Sequence, residues 1–268
     1  MNRADEIAEA LAEAYNRGLA LEKDGDIAGA VAAFREALAL DPSDPGGIAV
    51  RLAVHGAGPV PKAASPAYVE LLFEQHAGNF EDILVRQLHY DVPNLMRQRL
   101  DGLGLTPFAR MLDLGCGTGL CAVALRDAVR EIIGIDIAET MVDFAEDKDV
   151  YEGLYVGEIL SFLADNDENP FDLVTAADVL PYLGEVEPLF EGVAAALRPQ
   201  GVFAFSTEML ATAGTYAVGP NRRFLHARDY IADTLTAAGF AVLAMDEINV
   251  RDEDEAPSPG HLVVARKN

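Results

Sequence analysis

One short segment limits what this chain can fold into more than any other. Residues 110–120 read RMLDLGCGTGL, so an apolar run reaches Asp113 and three glycines then occupy alternate positions. Glycine allows the left-handed backbone of a sharp turn and leaves the main chain open to a close ligand. A helix-compatible run, residues 120–129, follows directly. The segment therefore predicts a buried strand, a tight turn and a helix, with a ligand lying against the turn.

A second apolar run ends in a carboxylate a short distance further along. Residues 131–136 read EIIGID, and Asp136 comes 17 positions after Gly119. A glycine turn next to two acidic strand ends is typical of a nucleoside site. The pattern by itself leaves open which nucleoside is bound.

The composition of the chain argues against several other classes of function. The 268 residues carry a formal charge of −24, and nucleic-acid binding draws most of its affinity from Lys and Arg, so we expect no nucleic-acid partner. The two cysteines, Cys116 and Cys121, are too few for a disulfide framework or a structural zinc site. The sequence shows neither an apolar run long enough to span a bilayer nor a basic and apolar leader. We therefore expect a cytoplasmic protein that binds no membrane and no metal ion.

Alternating patterns predict an α/β fold with a doubly wound, mostly parallel seven-stranded sheet. The last two strands have no room for a helix between them and should pair antiparallel. Helices are expected near residues 120–129, 140–145, 186–197 and 229–238. The predicted strands are 111–114, 132–136, 151–156, 171–176, 202–206, 241–248 and 261–265.

The N-terminal 55 residues have a different, purely helical pattern. Small or bulky residues at Gly18, Ala30, Phe34, Ala37 and Pro42 resemble the spacing of a single tetratricopeptide repeat, a helical hairpin. One repeat cannot bury its own apolar face, so residues 1–55 should pack on the next domain, a second copy in a homodimer, or a protein partner. A Gly- and Pro-rich linker is predicted at 56–66. A second domain would occupy residues 67–268, divided into a helical lid (67–107) and a Rossmann-like core (108–268).

The glycine spacing distinguishes two kinds of nucleoside site. Leu120 stands where a dinucleotide fingerprint has its last glycine, and Asp113 would repel a pyrophosphate but suit a cationic ligand. Residues 112–119, LDLGCGTG, match the first motif of class I S-adenosylmethionine-dependent methyltransferases, and similar motifs follow in order over residues 108–208. The chain thus resembles that family, and particularly bacterial predicted methyltransferases with an N-terminal tetratricopeptide-like repeat.

The resemblance implies S-adenosyl-L-methionine as cofactor and S-adenosyl-L-homocysteine as product. It places Asp136 on the ribose hydroxyls, Ile137 and Met141 beside the adenine, and Glu158, followed by Ile159, near the adenine amino group. A backbone carbonyl near Ala177 would accept from the methionine ammonium. The cofactor-binding residues expected in full are Asp113, Gly115, Cys116, Gly117, Asp136, Ile137, Met141, Glu158, Ile159 and Ala177.

The acceptor should lie beyond the carboxyl ends of the fourth and fifth strands. Candidates for a catalytic role there are His226, Glu208 and Tyr182, and candidates for binding the acceptor are Tyr90 and Arg223. His226 is expected to begin a helix. The predicted activity is in-line methyl transfer to an unidentified acceptor, most simply a small molecule, although a protein substrate stays open. The alternatives are an NAD-dependent oxidoreductase and a non-catalytic cofactor-binding adaptor that uses the repeat.

Overall fold

The structure, a computed structural model, describes residues 3–253 and 256–268. The α-helices are α1 Arg3–Lys23, α2 Ile27–Leu40, α3 Ile48–Val54, α4 Pro66–His76, α5 Val92–Gly102, α6 Leu120–Leu125, α7 Glu139–Glu146, α8 Ile159–Asp165, α9 Glu187–Ala196 and α10 Arg228–Ala237. The strands are β1 Phe108–Leu114, β2 Val129–Asp136, β3 Gly153–Val156, β4 Phe171–Ala176, β5 Leu197–Met209, β6 Tyr216–Val218, β7 Phe224–His226, β8 Phe240–Glu253 and β9 Ala256–Lys267. A π-helical turn spans Asp82–Gln87.

The N-terminal hairpin is closed by the small and bulky residues that the repeat pattern singles out. A Cβ at Gly18 would lie 2.5 Å from the ring of Phe34, so only glycine lets α1 approach α2 this closely. Asp26 begins α2 by accepting a 3.0 Å hydrogen bond from the Gly29 amide, which satisfies one of the free N–H groups of the first turn. Ala30 and Ala37 complete the fully buried seam.

The third helix docks this hairpin onto the rest of the chain. Val50 on α3 is 1% exposed and packs with Phe224, Tyr68 and Tyr182. The following segment, predicted as a linker, is hydrogen-bonded to the sheet domain: the Lys62 carbonyl accepts from the Gly184 amide at 2.7 Å. The apolar face of the repeat is therefore buried within the chain itself.

The sheet confirms the doubly wound prediction. Its main path runs β3-β2-β1-β4-β5-β9-β8, and β3, β2, β1, β4 and β5 are mutually parallel. As expected, the last two strands pair antiparallel, and β9 inserts antiparallel to β5 between β5 and β8. Every residue of β4 is buried, which is characteristic of a parallel strand covered on both faces.

The sequence interpretation missed three short elements. Strands β6 and β7 form a hairpin, and β7 pairs with the end of β5 at Glu208 and Met209, beyond the point where β4 ends. Each has three residues, too few to show a period. The nine strands of the described ranges thus comprise the seven expected and these two. His226 lies in β7, so the expectation that it begins a helix is wrong; α10 starts at Arg228. Helix α8 was also missed.

The segment from α4 to Tyr90 lies over the carboxyl ends of the parallel strands, and we call residues 66–90 the lid. The lid is tied to the core by Glu74, which accepts from the Thr140 amide at 3.1 Å and from the Thr140 hydroxyl. Lys148 adds a 2.6 Å ion pair with Glu81. Helix α5, by contrast, packs into the core through Met96 and Leu100. In the described parts of the chain, no helix is both long and apolar enough to cross a membrane.

Candidate active site

A cavity of about 500 Å³ lies between the lid and the carboxyl ends of β1, β2 and β4. Its size is ordinary for a small-molecule site. The structure brings most of the predicted site residues to its wall. Those that line it are Tyr90, Asp113, Gly115, Cys116, Gly117, Asp136, Ile137, Glu158, Ile159, Ala177, Tyr182 and Arg223.

The glycine loop has the geometry that its sequence predicts. Gly115, Gly117 and Gly119 have φ values of 61°, 53° and 90°, in the left-handed region that favours glycine. A Cβ on Gly115 would approach Val179 to 2.6 Å, whereas one on Gly117 would meet only Phe80, at 3.9 Å. The main chain at Gly117 is therefore bare on the cavity side, and a ligand can lie directly against it.

Asp136 is held rigidly at the end of β2. Its carboxylate accepts from the Gly117 amide at 2.8 Å and from the Ala138 amide at 3.0 Å. Burial raises the pKa of Asp136, and the hydrogen bonds from Ala138 and Gly117 oppose that shift. One carboxylate thus joins the loop to the start of α7 and keeps lone pairs on the cavity side for ligand hydroxyls.

Asp113, at the end of β1, is buried beside the loop. Thr175 donates to one carboxylate oxygen at 2.7 Å and Tyr151 donates to the other at 2.8 Å. Burial raises the pKa of Asp113 to about 6, against those two hydrogen bonds. A cation beside this carboxylate would stabilise its charged form. Tyr151 was not predicted as a site residue, because an aromatic residue near a strand gives no signal of such a role.

Glu158 caps α8 as well as lining the cavity. Its carboxylate accepts from the Leu160 amide at 2.9 Å and from the Ser161 amide at 2.8 Å. The side chain is fixed by these charge-assisted bonds at the end of β3, the position at which the resemblance places a contact to the adenine amino group.

Met141 is placed differently from its prediction. It is 0% exposed and packs behind Ala138 against Ala77 of the lid, so it does not line the cavity. The α-helical turn from Ala138 points this side chain into the interface between α7 and the lid. Ile137 is the member of the predicted pair that reaches the cavity.

Cys116 lies within the loop but is not set up as a nucleophile. It is 6% exposed, and burial raises its pKa well above the ordinary value, with Asp113 and Asp136 adding to the shift. A thiol kept protonated in this way is unreactive, so Cys116 acts as a small apolar filler.

The opposite end of the cavity carries a different set of polar groups. Asp178 follows β4 with φ 62°, an unusual conformation for a residue with a side chain, and lies on the wall with Tyr90, Tyr182 and Arg223. Burial raises the pKa of Tyr182 to about 12, an effect that Arg223 opposes and Asp178 strengthens. Burial likewise raises the pKa of Tyr90, and Asp178 contributes. Both phenols therefore remain protonated donors.

Glu208, a candidate for a catalytic role at the acceptor, is bound within the protein instead. It is 3% exposed, does not line the cavity, and forms an ion pair with Arg251, which itself is 0% exposed. Arg251 also binds both oxygens of Asp178, at 2.7 and 2.8 Å, and Glu253 at 2.9 Å. Burial raises the pKa of Glu208 to about 7, against the effect of Arg251. No local pattern predicts this ion pair, because Arg251 stands in an acidic stretch far along the chain from Glu208.

His226 is also absent from the cavity wall. Its ring is 0% exposed and hydrogen-bonded on both nitrogens, with Thr207 at 2.9 Å and with the Leu183 carbonyl at 2.8 Å. Burial lowers the pKa of His226 to about 4. The predicted role as a base is therefore wrong: His226 is a neutral structural residue that joins β7 to the loop after β4. Of the three catalytic candidates, only Tyr182 reaches the cavity.

The geometry of these residues fits S-adenosyl-L-methionine as a ligand. The open face of Gly117 admits a ligand backbone, Asp136 presents a carboxylate for a ribose diol, and Asp113 offers negative charge where the loop begins. Within residues 3–253 and 256–268, no three His, Cys, Asp or Glu side chains are grouped so that they could hold a metal ion.

Comparison with known proteins agrees with this geometry. Residues 112–205 match the model of the methyltransferase domain family, and residues 11–44 match that of the tetratricopeptide repeat. The chain therefore carries, over residues 112–205, a domain that matches the methyltransferase family, on a Rossmann-like sheet, preceded by one match to the tetratricopeptide repeat. The resemblance inferred from the sequence is thereby confirmed at the level of the domain.

Individual related proteins align with only part of the chain. A ubiquinone biosynthesis O-methyltransferase of Idiomarina loihiensis is 30% identical over 101 residues, which are 37% of this chain and 42% of that protein. The chain thus matches less than half the length of this curated relative.

Solved structures share the fold at low identity. The N-methyltransferase NodS of Bradyrhizobium japonicum, solved with S-adenosyl-L-homocysteine, superposes with a TM-score of 0.57 at 18% identity, over 74% of this chain and 98% of that one. The [4+2]-cyclase SpnF gives 0.55 at 18% identity, over 65% and 81%. The same sheet thus serves more than one chemistry, and the reaction has to be argued from the site.

Proposed function

We propose that this protein transfers a methyl group from S-adenosyl-L-methionine to a small-molecule acceptor. The observation that carries the proposal is the single cavity wall on which the glycine loop, Asp113, Asp136 and Glu158 meet a second polar cluster at Tyr182 and Arg223. When bound, the cofactor supplies an electrophilic methyl group. The family match favours this reaction over hydride transfer from a nicotinamide.

The residues of this chain contribute by positioning and by excluding water. The glycine loop and Asp136 would hold the cofactor, and Phe73 and Phe80 of the lid cover the cavity. Holding two reactants at near-attack distance in a dry site can supply much of the rate enhancement of a displacement. No general base is needed from His226 or Glu208, because an already ionised acceptor atom reacts directly.

The acceptor is proposed to be small because the cavity, at about 500 Å³, has the size of a small-molecule site. The tetratricopeptide repeat is proposed to act within the chain, since α3 docks it on Tyr68 and Tyr182. A second copy or a protein partner on the outer face of residues 1–55 remains compatible with this docking. The two cysteines are free and buried, which supports a reducing compartment, the cytoplasm.

The cofactor half of the proposal is tested by calorimetry with S-adenosyl-L-homocysteine. We expect Asp136→Ala to weaken binding at least tenfold, because each charge-assisted hydrogen bond to a ribose hydroxyl is worth about 1.5–3 kcal/mol. Asp143→Ala is the matched control, since Asp143 is exposed on helix α7, which follows Asp136 in the chain. Equal affinities of the two variants would show that Asp136 does not bind the cofactor.

The transfer half is tested by incubating the full chain with cell extract and methyl-tritiated cofactor. We expect label in the small-molecule fraction, and less of it with Asp136→Ala. Label mainly on nucleic acid, or no label above that of a boiled sample, would contradict the proposal.

A further inference from the structure

Three residues with hydrogen-bond donors, Tyr90, Tyr182 and Arg223, line the cavity together with Asp178. Tyr90 is 6% exposed, and its hydroxyl is not among the fully buried unpaired polar atoms of the described residues, so it is accessible from the cavity. Arg223 and Asp178 are close enough to Tyr182 to influence its ionisation, which places the three polar groups in one neighbourhood.

These donors have capacity that the protein does not use. Among the described residues, neither phenolic hydroxyl makes a hydrogen bond. Arg223 contacts Glu253 and, at 3.6 Å, Glu208, both through Nη1, so its other guanidinium nitrogens are left for a ligand. A donor that reaches a cavity without a protein partner is free to bind a ligand, and each such group therefore points to an acceptor atom supplied by what binds there.

The nearby acids do not cancel this donor character. Both oxygens of Asp178 are bound to Nη1 of Arg251, Glu208 is bound to Nη2 of Arg251, and Glu253 is bound to both Arg251 and Arg223. Each of these three carboxylates is therefore already paired with an arginine, whereas, within the described ranges, the phenols and the remaining guanidinium nitrogens of Arg223 are not paired. The remaining wall near the lid is apolar, with Phe73, Ile83 and Leu88.

We propose, building on the proposed function, that the methyl acceptor is an apolar molecule with one anionic oxygen group, which Tyr90, Tyr182 and Arg223 bind. The guanidinium supplies charge and a planar pair of N–H donors, and the phenols supply two O–H donors. The apolar lid residues cover the body of the molecule. A neutral analogue leaves these donors without a charged acceptor, and a cationic analogue is repelled by Arg223.

The inference is tested with three probes of one shape: 2-naphthoate, 2-naphthamide and 2-(aminomethyl)naphthalene. Each is titrated calorimetrically into the full chain saturated with S-adenosyl-L-homocysteine, near neutral pH. We expect the carboxylate to bind at least tenfold more tightly than the amide, and the amine to bind most weakly. Equal binding of carboxylate and amide, tightest binding of the amine, or no binding of any probe would overturn the inference.

Variants then assign the preference to residues. We expect Arg223→Gln to weaken 2-naphthoate at least tenfold and Tyr182→Phe three- to tenfold, with affinity for S-adenosyl-L-homocysteine within twofold of the original. Arg222→Gln is the matched control, because Arg222 is adjacent but does not line the cavity. An equal effect of Arg222→Gln, or none of Arg223→Gln, would overturn the assignment.

The two proposals fail in different ways. If S-adenosyl-L-homocysteine binds but the naphthalene probes show no preference for the anion, only the acceptor class is wrong. If the anion is preferred but S-adenosyl-L-homocysteine does not bind, the methyl-transfer proposal is wrong.

Discussion

Arg251 is the residue on which the acceptor end of the molecule depends most. It is fully buried and holds Asp178, Glu208 and Glu253 at once. Removing one partner of a buried ionic cluster leaves the other charges in a poorly solvating interior, which is more destabilising than the cluster itself is stabilising.

We therefore expect Arg251→Met to lower the free energy of unfolding by about 3–5 kcal/mol, measured by urea denaturation. Arg130→Met, at an exposed arginine on β2, is the control and should change stability by less than about 0.5 kcal/mol. A comparable, small effect of both changes would mean that water already solvates the cluster.

His226 makes a prediction about pH. Its pKa is about 4 in the folded protein, against an ordinary value of 6.5. Between these values the unfolded chain binds a proton that the folded chain does not, so His226 makes the free energy of unfolding fall as the pH falls from 6.5 toward 4. The loss amounts to about 3 kcal/mol when complete.

We expect His226→Gln to show a correspondingly smaller loss of stability over that range in denaturation curves taken at several pH values. His89→Gln, at a histidine whose side chain is 70% exposed, is the control. Parallel pH profiles for the original protein and His226→Gln would show that the ring is charged in the folded state.

At the scale of elements, the lid is held to the core by few bonds. Glu74 on α4 accepts from the amide and hydroxyl of Thr140 on α7, and the lid covers the cavity. Any ligand that leaves the cofactor end has to displace this segment, so the bonds should contribute to its dissociation rate.

We expect Thr140→Val to raise the dissociation rate constant of S-adenosyl-L-homocysteine about fivefold in stopped-flow measurements, since a hydrogen bond of this kind is worth about 1 kcal/mol. Thr236→Val, which removes a hydroxyl bonded within α10, is the control. An unchanged rate would indicate that the ligand leaves without breaking the bonds between Glu74 and Thr140.

Elements with a strong local signal were predictable from the sequence. Strand β4 was predicted with its observed bounds, because its mainly apolar run follows a polar, Pro-ended stretch at residues 165–170. The glycine loop was equally clear, since its alternate glycines are required by backbone geometry. The hairpin of β6 and β7 was not, because three-residue strands have no period and owe their form to pairing with the end of β5.

The site residues that were predictable are likewise those with a strong local signal in the sequence. Asp113, Asp136 and Glu158 end strands next to recognisable motifs, and all three line the cavity. Glu208 and His226 also lie at strand ends, but their partners Arg251 and Leu183 are distant in sequence. A buried ion pair or a hydrogen-bonded ring depends on those tertiary contacts, and no local pattern shows them.

For the molecule as a whole, the N-terminal repeat and the sheet domain share a core. Val50 contacts Phe224 and Tyr182, and Ser65 donates a 2.6 Å hydrogen bond to the Asp44 carbonyl across the boundary. A chain joined in this way should unfold as one unit rather than as two.

We expect the full chain to show a single calorimetric transition. A version lacking residues 1–55 should melt roughly 4–8 °C lower, because the lost burial of Val50 alone is worth about 2 kcal/mol. Asp5→Ala, a change on the same module that preserves α3, provides the comparison. Two separate transitions in the full chain would show that the modules are independent.

The extra hairpin changes how such a chain can diversify. The ends of β1, β2 and β3 hold the cofactor side of the cavity, whereas Arg223 comes from the hairpin after β5 and the apolar cover from the lid before β1. Changes in these two segments can therefore alter the acceptor while the cofactor side stays unchanged.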